Sequence, residues 1–269
     1  MPGMMSWLSL FHRASNPRAD ELSQASGPSA KQLPKDFTNS LGMKFVWIEP
    51  GSFQMGSNDE ELQRSRPVHK VKLTKGHYLQ TTQVTQAQWE AVMGTNPSYQ
   101  KGPDLPIVSV SWIDAQEFLQ KLNAREKNIL HRLPTEAEWE YACRAGGREP
   151  DVATDLDEVA WWLKNSRGIG THPVALKKAN AWGLYDMRGN VAEWVADWYG
   201  PYAAGDQIDP VGPGSSVHWA ANTGTFTLKI TRGGSWGDEN PGRLRCSVRQ
   251  YNIPSERDSG WGFRCAGTP

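Results

Sequence analysis

From Met43 to Met55 the run of apolar positions is β-like. Phe45, Val46, Trp47 and Ile48 come first, a Pro50-Gly51 turn follows, and Phe53 and Met55 come after it. Val68, Val71 and Leu73 predict another strand, and Tyr78 to Thr82 a further one. The period then changes to that of a helix. Thr85-Gln86-Ala87-Gln88 reads as a capping box, with Gly94 as the stop. Ser111 can cap a helix reaching about Arg125, with Ala115, Phe118, Leu119 and Leu122 on one face. Thr135-Glu136-Ala137-Glu138 is a second capping box, for a helix through about Arg144 whose inner stripe is Trp139, Ala142 and Cys143. Beyond Arg144 the chain is mostly loop, with short strands predicted at Pro173–Leu176, Val191–Trp194, Phe226–Arg232 and Gly262–Ala266. Short helices followed by long loops and short strands read as α+β.

Composition narrows the class. The 269 residues suit one large domain or two small ones. Lys plus Arg and Asp plus Glu both number 29, so the net charge is zero and gives no pull toward nucleic acid or an anionic membrane. No apolar run approaches the ~18 residues of a membrane span. Gly at 26, Pro at 18 and Trp at 13 point to a loop-rich fold held by aromatic packing. Cys143, Cys246 and Cys265 show no C-x-x-C spacing and allow at most one internal bridge. Residues 1–36 read as a disordered tail or linker ahead of a domain spanning 37–269. The apolar stretch Trp7 to Phe11 is too short for a signal peptide and follows no Lys or Arg, so a cytoplasmic location is expected. A short membrane-surface or partner-binding helix is the alternative for that stretch.

Several segments carry a family resemblance. They are 39–56 (Asn-Ser-Leu-Gly-Met-Lys-Phe-Val-Trp-Ile-Glu-Pro-Gly-Ser-Phe-Gln-Met-Gly), 132–144 (Arg-Leu-Pro-Thr-Glu-Ala-Glu-Trp-Glu-Tyr-Ala-Cys-Arg) and 183–194 (Gly-Leu-Tyr-Asp-Met-Arg-Gly-Asn-Val-Ala-Glu-Trp). Arg-Gly-Gly-Ser-Trp at 232–236 and Gly-Phe-Arg-Cys at 262–265 complete the set in order. Together they resemble the formylglycine-generating enzyme (sulfatase-modifying factor) family over about residues 37–267. The resemblance implies that family's variant of the C-type lectin fold, with segment 39–56 as its N-terminal hairpin. It does not fix function. The family holds copper-dependent oxidases that make formylglycine, iron-dependent sulfoxide synthases, a pyoverdine-maturing enzyme and retroelement-diversified ligand-binding proteins.

The chain departs from the oxidase branch where that branch places two cysteines. Asp238 stands at the first position, and the second falls near Gly242 or Arg243. Carboxylates are hard ligands and cannot replace the soft thiolates that grip Cu(I), so no copper is expected. The resemblance makes Cys143 and Cys246 either a disulfide or adjacent buried thiols, and Cys265 a core residue. A second departure is Ala192, where the family usually carries an aromatic side chain lining its pocket. By resemblance, Asp186, Gly189, Val191 and Glu193 bind a structural Ca²⁺ through two side chains and two carbonyls. Mixed oxygen shells of that kind suit the ion, and loop N–H groups satisfying the two carboxylates are the alternative. No second calcium loop is read near Trp162 to Thr171. The histidines, His12, His69, His77, His131, His172 and His218, have no helical ligand spacing, which leaves only a triad assembled in three dimensions as an iron site.

Arg245 and Arg249 fit the family's Arg-x-x-x-Arg pattern and are expected to anchor loops through carboxylates. Ser235, Trp236, Asp238, Glu239, Asn240, Tyr251, Asn252 and Trp261, with Ser255, Glu256 and Asp258, fall where the family builds its pocket. Polar loops with Tyr and Trp anchors suit binding. The leading expectation is therefore a non-copper binding or accessory protein, using the C-terminal loops to hold a peptide, protein or small-molecule ligand. The alternatives are an oxidoreductase of different chemistry, non-haem iron among its options, with Asp238, Glu239 or Tyr251 as acid or base, and a sulfatase-maturation factor that binds without oxidising.

Overall fold

Each predicted helix start is a helix start in the folded chain. The computed structural model describes residues 34–214, 219–221 and 224–269. At Thr85 the hydroxyl accepts from the Gln88 N–H at 3.3 Å, and the Gln88 side chain accepts from the Thr85 N–H at 3.1 Å. Helix α1 (Gln86–Met93) runs from this box to Gly94, whose φ of +77° closes it as a left-handed cap. Ser111 and Asp114 form the reciprocal pair that starts α2 (Trp112–Arg125), which buries the predicted face of Ala115, Phe118, Leu119 and Leu122. Thr135 and Glu138 start α3 (Glu136–Cys143). That helix is buried on almost every side, Glu136 and Glu140 included, and is wider in its burial than the predicted stripe. Two four-residue helices follow, α4 (Leu156–Val159) and α5 (Leu163–Ser166).

The strands are β1 (Asp36–Thr38), β2 (Lys44–Ile48), β3 (Gly51–Met55), β4 (His69–Leu73), β5 (His77–Gln80) and β6 (Leu130–Arg132), then β7 (Ala192–Trp198), β8 (Gln207–Ile208), β9 (Trp219–Ala221), β10 (Gly224–Phe226), β11 (Lys229–Arg232), β12 (Arg249–Asn252), β13 (Trp261–Gly262) and β14 (Ala266–Thr268). Among the described residues they form sheets of order β1-β2-β5-β14-β6, β12-β11-β7-β13 and β3-β4-β8, and the pair β9-β10. The expected hairpin across Pro50-Gly51 does not form. Val46 of β2 stands opposite Leu79, while Phe53 of β3 stands opposite Val71, so the turn passes the chain from one sheet to another. Gly51 allows that step beside α3, because a Cβ there would come within 2.0 Å of the Tyr141 hydroxyl oxygen.

The predicted strand at Pro173–Leu176 is a turn instead. Its amides are used elsewhere: Val174 N–H donates to the Asp104 carbonyl at 3.0 Å and Ala175 N–H to Asp186 Oδ2 at 2.8 Å. The run at 226–232 is divided between β10 and β11, and that at 262–266 between β13 and β14, while Val191–Trp194 extends into β7. Residues 1–33 of the predicted tail lie outside the described residues.

Two apolar clusters flank this frame. One gathers Trp139, Ala142 and Cys143 of α3 with Val71, Leu79, Val195 and Ile230. The other packs α1 and α2 through Trp89, Phe118 and Leu122 against Phe45, Tyr78, Trp194 and Phe263. Each large side chain so buried contributes about 1.5–3 kcal/mol. The consequence for the site is positional: α3 and β7 form a rigid floor, and the C-terminal loops lie on it.

Candidate functional site

The loops are anchored to α3 by buried charge. Arg249 donates from Nε and Nη2 to both oxygens of Glu136, at 2.6 and 2.8 Å. Arg232 reaches Glu136 at 3.2 Å and Glu140 at 2.5 Å, and also donates to the carbonyls of Cys246 and Ser247. Arg144 closes the network on Glu140 at 2.9 Å. Arg245 pairs with Asp59, so both arginines of the Arg-x-x-x-Arg pattern meet carboxylates as expected. Arg232, fully buried, is the member that sequence reading missed. The run Glu136, Glu138, Glu140 on one capped helix is the only local sign of it.

The predicted ligand residues divide into two groups. In the first, Asp238 accepts from the N–H and hydroxyl of Ser235, at 2.7 and 3.2 Å. Trp236 Nε1–H donates to the Ser259 carbonyl at 3.1 Å, Ala192 N–H donates to that of Gly260 at 2.8 Å, and Trp261 packs edge-on against Trp194. These contacts make a closed clasp: the Asp238 carboxylate is engaged in holding its own loop. Glu239, Ser255, Glu256 and Asp258 are exposed.

In the second group, Asn240, Tyr251 and Asn252 line a cavity of about 580 Å³. Its opposite wall is the turn at 61–65, with Glu61 and Arg64. The Arg64 guanidinium lies 4.5 Å above the Tyr251 ring and donates to its hydroxyl at 3.2 Å, and Tyr199 packs against the same ring at 4.3 Å. Arg243 adds a second, largely exposed cation at the rim, 3.6 Å from Asp238. Of the acid–base candidates Asp238, Glu239 and Tyr251, Tyr251 alone lines this cavity.

The predicted calcium ligands do come together, but around a side chain. Gln83 Nε2 donates to Val191 O at 2.9 Å and Glu193 Oε1 at 3.0 Å, and lies 3.2 Å from Asp186 O and 3.4 Å from Gly189 O. Glu193 is further held by Arg264, at 2.7 Å to each oxygen, and by Trp139 Nε1–H at 2.8 Å. Asp186 contributes its backbone oxygen here. Its side chain accepts from Ala175 N–H, and burial pushes its carboxyl up to about 6. The point on which the oxygens converge is filled by an amide, so these residues do not fit calcium as they stand.

Cys143 and Cys246 are joined in a disulfide and Cys265 is buried as a free thiol. Among the described residues no three His, Cys, Asp or Glu side chains converge as a metal-binding group. His172 stacks on Trp161 at 3.7 Å, His77 and His131 are buried, and His12 and His218 lie outside the described residues.

At the N-terminal end of α3, Asp197 is buried with its Oδ2 accepting from Glu136 N–H at 2.7 Å. Burial first, and then the Glu136 charge, push its carboxyl up to about 7. A raised carboxyl favours unfolding as pH climbs, because the unfolded chain ionises near the normal value of about 3.9. Asp197→Asn keeps the accepting oxygen. It should therefore gain stability over the parent as pH rises from about 4 to 7, hold that gain above 7, and show none below 4. Urea melts at a series of pH values check this, and a gain independent of pH would contradict the assignment.

Comparison with known proteins agrees with this layout. Residues 30–269 match the sulfatase-modifying factor enzyme 1-like domain. The chain is 33% identical over 199 residues to the formylglycine-generating enzyme of Streptomyces coelicolor, an alignment that takes in 67% of this chain and 58% of that enzyme. Among solved structures, Treponema denticola variable protein 1 superposes with a TM-score of 0.76 at 30% identity, covering 88% of this chain and all of the other. PvdO from Pseudomonas aeruginosa follows at a TM-score of 0.72 and 29% identity, covering 87% of this chain and 98% of the other. With the matched domain, the capped helices and the shared α+β fold, the chain belongs to the sulfatase-modifying factor enzyme 1-like, or formylglycine-generating enzyme, family.

Proposed function

We propose that this chain is a ligand-binding module of its family, and that it holds a polar, anion-bearing peptide or small molecule between the 61–65 turn and the C-terminal loops. The observation that carries this reading is the cavity of about 580 Å³ between them. Its volume is in the range of small-molecule sites, about 300–1,000 Å³. Its chemistry supports a ligand with an anionic group and a flat face. Arg64 has a planar guanidinium suited to carboxylate or phosphate, Tyr251 offers a ring held by Tyr199, and Asn240 and Asn252 supply adaptable polar contacts. Asp238 and the clasped segment at 235–238 contribute scaffolding in this reading, not chemistry.

The Cys143–Cys246 bridge supports an oxidising compartment rather than the expected cytoplasm, since cytosolic thiols are kept reduced. No helix among the described residues is long and apolar enough to cross a membrane.

The test is a thermal-shift and NMR screen with a panel of aromatic carboxylates, phosphorylated peptides and acidic sugars. A binder should lose about tenfold or more in affinity in Arg64→Ala and in Tyr251→Ala, the worth of a charge-assisted contact or a stacked ring. Asp238→Asn should bind as the parent does. If binders keep their affinity in both variants, or if resonances shift around Ser235 and Trp261 instead, the cavity is not the site.

A further inference from the structure

We infer that the side-chain amide of Gln83 stands in for a calcium ion, so that this chain closes its central loop junction without metal. Three observations bear on it: the lengths of the contacts, the number of protons available, and the charge already present.

The four oxygens lie 2.9, 3.0, 3.2 and 3.4 Å from Gln83 Nε2. Calcium–oxygen bonds measure about 2.3–2.6 Å, whereas N–H···O contacts centre near 2.9–3.0 Å. The cage is therefore sized for an amide. Its proton count agrees. A side-chain amide carries two N–H protons, and two of the four contacts are short: Val191 O and Glu193 Oε1 each take one. Asp186 O and Gly189 O share the same protons at longer range.

The Glu193 charge is also paired without a cation, while Asp186 Oδ1 has no hydrogen-bond partner. The Glu193 carboxylate receives Arg264 on both oxygens and Trp139 on one. Arg264 is itself completely buried, so a divalent ion beside it would set three positive charges against one paired carboxylate and Asp186. A neutral amide adds no charge where charge is costly.

Gln83 is delivered to this point by backbone on either side. Val84 N–H donates to the Phe263 carbonyl at 2.9 Å, and Thr81 O accepts from Tyr185 N–H at 2.9 Å. The residue is fully buried, and its Oε1 has no protein hydrogen-bond partner. The opposite amide orientation would turn that oxygen inward. Five oxygens would then converge with Arg264 donating to Glu193 Oε1 alone, an arrangement that suits a cation. The two orientations make opposite predictions.

The decisive measurement uses the wild-type chain. Purified protein should contain no stoichiometric calcium, and its melting temperature should be the same in excess EGTA and in millimolar calcium. One calcium per chain after dialysis, or a melting temperature that falls in EGTA, would overturn the inference and restore the metal. The companion variant is Gln83→Glu, studied at about pH 8 so that the carboxylate is ionised. It places an anion among acceptors and should melt lower than wild type in EGTA. Calcium should raise it again, with a stoichiometry of one. If the variant folds only with calcium present, the refolded yield replaces the melting temperature as the readout, with the same expected direction. A Gln83→Glu variant whose stability ignores calcium would show that the oxygens are not a cation cage, and the stand-in reading would fail.

Discussion

Replacing Cys143 and Cys246 together by alanine is expected to lower the unfolding free energy by about 4–5 kcal/mol. The bridge spans 103 residues, from the end of α3 to the C-terminal loop. In the chain-entropy picture a cross-link that long removes a large set of open conformations from the unfolded state. The native contribution acts in the same direction. Both cysteines are buried in the cluster around Trp139 and Met187, so shortening them also opens a small cavity. Urea melts of the parent with and without reductant, beside the double variant, measure the effect. The reduced parent should fall nearly as far as the variant. Cys265 gives the control: its thiol is buried, and burial pushes its pKa far above the usual range, so Cys265→Ala should keep the parent's sensitivity to reductant. A loss under about 1 kcal/mol on reduction would mean that the unfolded chain is already restricted, and that the bridge only reports proximity.

The bridge also shows what kind of information the chain displays locally. The capping boxes at Thr85 and Thr135 and the cap at Ser111 were legible because a cap is a contact between residues three apart. The stripe of α2 was legible for a related reason, since a helix repeats its buried face every turn. Strand pairing was not. The β-like runs around Phe45 and Phe53 mark strands, and say nothing about whether Val46 meets the next strand or Leu79. The ligand surface was half legible. Asn240, Tyr251 and Asn252 stood out as polar and aromatic loop residues. Their opposite wall is contributed from far away in sequence: Arg64 meets Tyr251 across 187 positions. Gln83 gave no signal, because an uncharged amide between a strand and a helix reads as surface. Only the convergence of carbonyls on its nitrogen identifies it.

The buried charges on α3 were the least legible part, and the second large effect is expected there. Arg232→Met should cost about 3–5 kcal/mol, because it strands acceptors that were taken out of water with their partner. Glu140 loses a contact of 2.5 Å and Glu136 one of 3.2 Å, while the carbonyls of Cys246 and Ser247 lose their donor. Arg144 and Arg249 remain to hold one carboxylate each, which keeps the loss from being larger. If the cost comes from the stranded charge, it should be partly relieved by removing that charge. Glu140→Gln added to Arg232→Met should cost less than the sum of the two single losses, by about 1 kcal/mol or more in a double-mutant cycle. Strict additivity would place the loss in packing against Trp139, whose ring lies 5.3 Å from the Arg232 guanidinium carbon, instead of in the ion network. The two outcomes also differ at the ligand cavity. Arg232 fixes the carbonyls of Cys246 and Ser247 two to three residues before Arg249, and Arg249 opens the strand that carries Tyr251. Loss of the ion network should therefore loosen Tyr251 against Tyr199 and weaken ligand binding, even under conditions where the variant is fully folded. A packing defect confined to Trp139 would leave that strand and its affinity unchanged.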